Sequence, residues 1–163
     1  MMSTVGLLMG TFDPPHLGHV YAACKAANLV DEVAIIPAYT SPWKEKALPY
    51  SIRSEMCKNA FPYYRMRVWE LDRHIRSKNS YEFLKVLLDL KLPLEYKIVC
   101  GSDVDITKWY NGEWIAKNFD TIVVPRQEFD CSSTKIREMF KARKDPRPFI
   151  TQEVFDIAKD YYK

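Results

Sequence analysis

No two cysteines stand close enough to form a CxxC unit. Cys24, Cys57, Cys100 and Cys131 each lie over thirty residues from the next, so no cysteine-based metal knuckle or redox pair is expected. Three of the four fall in apolar or helical patterns and read as reduced thiols packed as small hydrophobes. Charge of one sign is also lacking. There are 24 basic and 21 acidic residues, a net charge of +3, too small an excess to argue for nucleic acid or a membrane surface. No apolar run approaches the ~18 residues of a membrane span. The first residues, MMSTVGLLMG, lack a charged stretch followed by sustained apolar sequence, so no signal peptide is expected. No repeat, low-complexity tract or linker is visible. What remains is a chain of 163 residues, 47% hydrophobic, 13% aromatic and 28% charged. That length can bury roughly 70% of its unfolded surface, and the aromatic content argues against disorder. The expectation is one cytoplasmic globular domain over 1–163.

Short apolar runs alternate with segments of helical period. Strands are expected at 5–9, 33–37, 65–71, 96–100 (YKIVC) and 121–124 (TIVV). Helices are expected at 17–29, from Ser51 to about 60, from Ser80 to 90, at 114–117, from Ser132 or Ser133 to about 143, and at 151–162. Continuous apolar strands separated by helices imply a Rossmann-like, doubly wound parallel α/β sheet of about five strands, with helices on both faces. In such sheets ligands sit beyond the carboxyl ends of the strands. The segments 10–16, 38–46, 101–109 and 126–133 are all strand exits of that kind, so functional residues on them should converge.

The first exit reads Gly10-Thr11-Phe12-Asp13-Pro14-Pro15-His16-Leu17-Gly18-His19. A glycine directly after a buried strand permits close backbone approach to a ligand. His16 and His19 fall three apart at the start of a helix, where unpaired N–H groups and the helix dipole attract phosphate. Imidazoles there add donors. A histidine pair holding zinc, or one capping and one core histidine, are the other readings of this spacing. The loop has neither the GKS/T of a Walker site nor a GxGxxG dinucleotide fingerprint. Near the other end, Ser132-Ser133-Thr134-Lys135-Ile136-Arg137 places hydroxyls and a basic residue at a helix start. That is a second phosphate cradle, or simply a good N-cap followed by a solvated cation.

GTFDPPHLGH resembles the GxFDPxHxGH signature of the HxGH nucleotidyltransferase superfamily, and SSTKIR resembles its second motif, (I)SSTxIR. The intervening segments resemble the nicotinate/nicotinamide mononucleotide adenylyltransferases, and the resemblance spans nearly the whole chain. Ile36-Pro37 with Ser41-Pro42-Trp43-Lys44 is similar to IP…PPHK, with Trp43 where the family has histidine. Arg53 and Met56 match R..M, and Ser80-Tyr81 matches SYT, with Glu82 in place of threonine. Gly101-Ser102-Asp103 is similar to GxD, Trp109 to a tryptophan beside the pyridine ring, and Val123–Arg126 to a V.R strand end. The segment 149–162 is similar to the closing helix.

This resemblance implies AMP transfer from ATP to nicotinamide or nicotinate mononucleotide, giving NAD or deamido-NAD and pyrophosphate by direct in-line attack. It implies catalytic roles for His16, His19, Lys44 and Arg137, and ATP contacts from Gly10, Thr11, Phe12, Ser132, Ser133, Thr134 and Arg137. Mononucleotide contacts would come from Phe12, Lys44, Ser80, Tyr81, Gly101, Asp103, Trp109 and Arg126. Mg²⁺ would be held mainly through the ATP phosphates, with no metal site of the protein's own. Taken by themselves, Lys44, Lys46 and Arg53 also read as solvated surface charges, Trp109 as core, and Asp103 as the cap of the next helix. A phosphopantetheine adenylyltransferase, whose short chain fits this one, and a non-catalytic nucleotide-binding module are the alternatives. Six basic residues against two acidic ones within 135–147 lie on an amphipathic helix, and no nucleic-acid or membrane partner is expected. A homo-oligomer is compatible with the sequence.

Overall fold

The three central strands of the sheet are apolar on both sides, and the tertiary structure covers both. The computed structural model describes residues 2–40, 47–61, 63–125 and 131–162. Strands β1 (Ser3–Gly10), β2 (Glu32–Pro37), β3 (Met66–Val68), β4 (Leu94–Gly101) and β5 (Asp120–Val124) form one sheet in the order β3-β2-β1-β4-β5. All four pairings are parallel. The helices are α1 (Leu17–Ala27), α2 (Tyr50–Ala60), α3 (Leu71–Ile75), α4 (Ser80–Asp89), α5 (Gly112–Asn118), α6 (Ser133–Lys141) and α7 (Gln152–Ala158), with a 3-10 turn at Ile106–Lys108.

Side chains alternate across each strand, so the central strands β1, β2 and β4 feed two cores, and the edge strands β3 and β5 feed one. Leu8, Val33, Ile35, Val99, Ile122 and Val124 face α1, α2, α6 and α7, meeting Val20, Ala23, Met56, Cys57, Ile136 and Val154. Val5, Leu7, Ala34, Ile36 and Ile98 face the other way, onto Phe83, Leu84, Leu87 and Ile115 of α4 and α5. This is the doubly wound α/β architecture. The chain runs from β1 outward to β3 on one side, then returns to place β4 against the other side of β1, Leu7 standing opposite Ile98. The direction of winding therefore reverses between β1 and β4. That switch point opens a crevice at the carboxyl ends of these two strands. Among the described residues no helix is long and apolar enough to cross a membrane.

Several boundaries differ from the expectations. The alternation through 65–71 predicts a long third strand, but β3 ends at Val68 and α3 begins at Leu71. Asp72 explains the break. Its buried carboxylate accepts the Ser77 N–H and hydroxyl and the Tyr39 N–H at 2.7 Å, folding this segment back over the end of β2. Ser51 does not cap α2, which starts at Tyr50 after Pro49 with no side-chain cap. Asn79 rather than Ser80 caps α4, accepting the Glu82 N–H. Asp105 rather than Asp103 caps the 3-10 turn.

Two substitutions separate what holds the second core together. Leu84 is fully buried, so Leu84→Ala should lower the unfolding free energy by about 3 kcal/mol. Tyr96 is buried, and its hydroxyl has no hydrogen-bond partner among the described residues. Tyr96→Phe removes an unsatisfied polar atom and should leave stability unchanged or raise it by up to about 1 kcal/mol. Denaturant unfolding of both variants measures the contrast.

Candidate active site at the sheet switch point

The turn after β1 has two prolines and cannot build a ladder of its own, so its shape is set by capping and by donors from elsewhere. His16 is the N-cap of α1 and has extended backbone. Its Nδ1 accepts the Gly18 N–H at 3.1 Å, while its own N–H donates to Nδ1 of His19 at 3.1 Å. This is a capping box made of two histidines. The rings stack at 3.8 Å between centroids, 28° apart. With both Nδ1 atoms accepting, each neutral ring carries its proton on Nε2, so two N–H donors are presented side by side. Nδ1 of each ring is thus committed to a backbone N–H. No group of three or more His, Cys, Asp or Glu able to hold a metal occurs among the described residues.

The glycine between the histidines is dictated by this geometry. A Cβ on Gly18 would lie 2.8 Å from Cε1 and 2.9 Å from Nδ1 of His16. Phe12 takes a left-handed backbone, φ 54°, uncommon for so large a side chain. It thereby buries its ring under His19, 4.8 Å between centroids, and against Phe61. Only the backbone of Phe12 is left for a ligand.

The α1 N–H groups expected to meet phosphate are in part already used. The Leu17 N–H donates to Phe149 O at 2.9 Å, and the Gly18 N–H to the His16 ring. The donor capacity of this helix start therefore rests on the imidazoles.

The second motif docks directly on the first. Ser132 caps α6 by accepting the Lys135 N–H. The Ser133 hydroxyl donates to Pro14 O at 2.8 Å, and Arg137 Nη1 donates to Asp13 O at 2.7 Å. Arg137 Nη2 also donates to the Thr134 hydroxyl at 3.2 Å. Residues 119 and 124 positions apart are thus joined, and the two motifs share one wall of the crevice.

Arg53 is a correction. A solvated charge is one reading of it in the sequence, yet it is 2% exposed. Its guanidinium donates to four backbone carbonyls: Leu48 at 2.7 Å, Thr11 and Ala38 at 2.8 Å, and Tyr39 at 3.3 Å. It gathers the ends of β1 and β2 into one rigid rim. Burial lowers its pKa and the nearby Asp13 carboxylate raises it; guanidinium remains charged in either case.

The remaining expected residues fall into two groups. Gly10 ends β1, and Gly101 ends the adjacent β4, with Ser102 and Asp103 following it. Ser80 and Tyr81 open α4, and Trp109 follows β4, so both belong to the carboxyl end of the sheet, on its second face. There Tyr81 meets Tyr110 edge-on at 5.8 Å and Trp114 at 5.2 Å, with Trp109 packed on the same core. Lys44, Trp43, Lys46 and Arg126 lie outside the described residues.

Comparison with known proteins agrees with this geometry. Residues 7–139 match the family model described as cytidylyltransferase-like. A Coprothermobacter proteolyticus protein named "Probable nicotinate-nucleotide adenylyltransferase" is 34% identical, over 85% of this chain and 74% of its own length. A Clostridium perfringens protein of the same name is 32% identical, over 98% and 97%. The chain belongs to the nicotinate-nucleotide adenylyltransferase family. Solved structures share the fold. A Vibrio parahaemolyticus chain superposes with a TM-score of 0.79 at 20% identity, covering 96% of this chain and 99% of that one. The Plasmodium falciparum nicotinic acid mononucleotide adenylyltransferase complexed with NaAD superposes with a TM-score of 0.77 at 17% identity, covering 98% and 96%.

As a member of that family, this chain builds its histidine turn with residues that single motifs do not reveal. Asp13 is 2% exposed, and its carboxylate accepts the Tyr162 hydroxyl and, at 3.4 Å, the Leu48 N–H. Burial and the Asp13 carboxylate together push the Tyr162 phenol far above its ordinary pKa, so it stays a donor. Only the position of Asp13 inside the motif hinted at this role.

Gly18 provides the test of the capping geometry. In an unhindered helix, Gly→Ala adds up to about 1 kcal/mol. Here Gly18→Ala should yield no gain and a net loss, because the new Cβ displaces the capping ring of His16, a cap being worth about 1 kcal/mol. Chemical denaturation measures the sign.

Proposed function

We propose that this protein is an ATP-dependent adenylyltransferase that joins AMP to a pyridine mononucleotide, nicotinate mononucleotide or its amide, and releases pyrophosphate. The observation that carries the reading is the docking of Ser133 and Arg137 onto the backbone of the histidine turn. It puts two imidazole donors, a guanidinium and a helix N-terminus along one wall of a crevice at the switch point, the donor set a triphosphate needs. The relatives' names supply the acceptor class, and the half-buried Trp109 with Tyr81, Tyr110 and Trp114 offers flat apolar surface for a pyridine ring.

In this mechanism an oxygen of the mononucleotide phosphate attacks the α-phosphorus of ATP, a new P–O bond forms, and the bond to the pyrophosphate oxygen breaks. A phosphate monoester is already ionised near neutral pH, so no base and no covalent intermediate is required. The protein contributes position and charge neutralisation. His16 and His19 donate through Nε2–H to the α- and β-phosphate oxygens, where negative charge builds. Arg137, with Ser132, Ser133 and Thr134 at the α6 start, holds the leaving pyrophosphate. Gly10, Thr11 and Phe12 present backbone to the nucleotides. Lys44 and Arg126 are assigned to phosphate and mononucleotide by family resemblance. Gly101 and Asp103, beyond β4, are assigned with Ser80, Tyr81 and Trp109 to the mononucleotide. One nucleotidyltransferase domain over the whole chain is part of the proposal.

Magnesium enters as the companion of ATP. The described site is built of nitrogen donors, which suit phosphate oxygens, whereas a hard dication finds its oxygens on the triphosphate and in water. Bound there, it neutralises phosphate charge. No residue of the chain is assigned to it.

Pyrophosphate release from ATP should be measured with nicotinate mononucleotide, nicotinamide mononucleotide and 4′-phosphopantetheine in parallel, and with CTP replacing ATP. Turnover is expected with a pyridine mononucleotide and ATP. No turnover with either pyridine mononucleotide overturns the reading. His19→Ala should lower kcat by about 10²- to 10³-fold, as loss of a transition-state donor does.

A further inference from the structure

The chain's C-terminal tail reaches the site, although nothing in the mechanism above uses it. α7 ends at Ala158, and Tyr162 then turns inward, 8% exposed, its ring stacked on Phe140 of α6 at 5.5 Å between centroids. Its hydroxyl donates to the Asp13 carboxylate. Asp13 is the middle of the histidine turn, and donors from distant parts of the chain converge on it. Its own carbonyl takes Arg137, the next carbonyl takes Ser133, the carbonyl two residues before takes Arg53, and its carboxylate takes Tyr162 and Leu48. Four of these donors come from α6, α2 and the tail, so the turn is a node held from three directions. Of those contacts, the phenol's is the one made from the segment beyond α7.

We propose that Tyr162 is a positioning residue for adenylyl transfer: by holding the Asp13 carboxylate it fixes the turn that aims His16 and His19. The inference rests on the reading of that turn as the triphosphate site. Its physical basis is the asymmetry of buried hydrogen bonds. Removing the phenol oxygen leaves a buried carboxylate short of a partner. The turn then has reason to relax toward its remaining donors, Leu48 and the neighbouring Arg53. The two imidazoles are tied to that backbone by their reciprocal capping box, so they move with it. A displacement near 1 Å in a positioning element costs on the order of 10²-fold in rate when the reaction depends on alignment. Burial and the Asp13 carboxylate raise the pKa of the phenol, which keeps it a donor.

The test is Tyr162→Phe in the full-length chain, which removes one oxygen and keeps the ring on Phe140. The protein contains three histidines, and the third, His74, sits exposed on α3, so it serves as an internal reference. Imidazole NMR resonances of His16 and His19 are expected to shift or broaden while those of His74 stay in place. Steady-state kinetics, run well below the unfolding midpoint, should show kcat lowered about tenfold or more, with KM for the mononucleotide within about twofold of wild type. Unchanged His16 and His19 resonances, or kcat/KM within about twofold of wild type, overturn the proposal and reduce Tyr162 to a packing residue. Should Tyr162→Phe not fold, Asp13→Asn replaces the carboxylate by a neutral acceptor and so weakens the contact without removing the phenol. A smaller shift of the same two rings with His74 unmoved supports the proposal, and no shift overturns it. The NMR arm needs no turnover, so failure of the wild-type protein to release pyrophosphate would count against the proposed function and not against the positioning role.

Discussion

Backbone carbonyls at the end of β1 have nowhere local to go. Residues 11–15 carry two prolines, which donate nothing, and the strand ladder has ended, yet the segment from Phe12 to His16 is buried. Buried carbonyls must find donors. Here they take them from far along the chain, Thr11 from Arg53, Asp13 from Arg137 and Pro14 from Ser133. This demand draws α2 and α6 together over one turn. The cost of leaving any of the three carbonyls bare is what ties the arrangement of the site to the integrity of the fold.

Two arginines serve this purpose because a guanidinium offers five N–H groups in a fixed plane. Arg53 spends its donors on four carbonyls and lies buried with no carboxylate bonded directly to it among the described residues. A lysine in its place would carry the charge without the fork. Arg137 divides itself between the Asp13 carbonyl and the Thr134 hydroxyl, so its contribution to the site is structural as well as electrostatic. The same contacts that hold the motifs together keep the guanidinium oriented beside the histidines, and such preorganisation is what a reaction without a covalent intermediate depends on.

The division of the sheet into two faces allocates the rest. Helices α1, α2 and α6 on one face carry His19, Arg53, Ser133 and Arg137, while α4 and α5 on the other bring Tyr81 and Trp114 beside Trp109. Because β1 and β4 are neighbours, the exits of the two faces adjoin, and a polyphosphate and a flat ring can be held end to end across the switch point.

Much of this was legible in one dimension. Apolar runs in the strands, the helical period of 17–29 and the hydroxyl cap at Ser132 are local properties, decided by side-chain burial and backbone satisfaction within a few residues. The histidine motif was likewise local, because its capping box closes within four residues. The short β3, the cap at Asn79 and the burial of Arg53 were not legible. The first and last depend on partners distant in sequence, Asp72 reaching Tyr39 and Arg53 reaching Thr11 and Ala38, whereas the Asn79 cap is local and stands beside an equally good capping residue, Ser80. The pattern of residues determined a parallel α/β sheet and two anion-seeking helix starts. Only the packed chain decided that these starts share a wall, that the turn between them is clamped by an interior cation, and that the last tyrosine closes on an aspartate 149 positions earlier. Propensity acts between neighbours along the chain, whereas the pairing of buried donors with buried acceptors is settled by proximity in space.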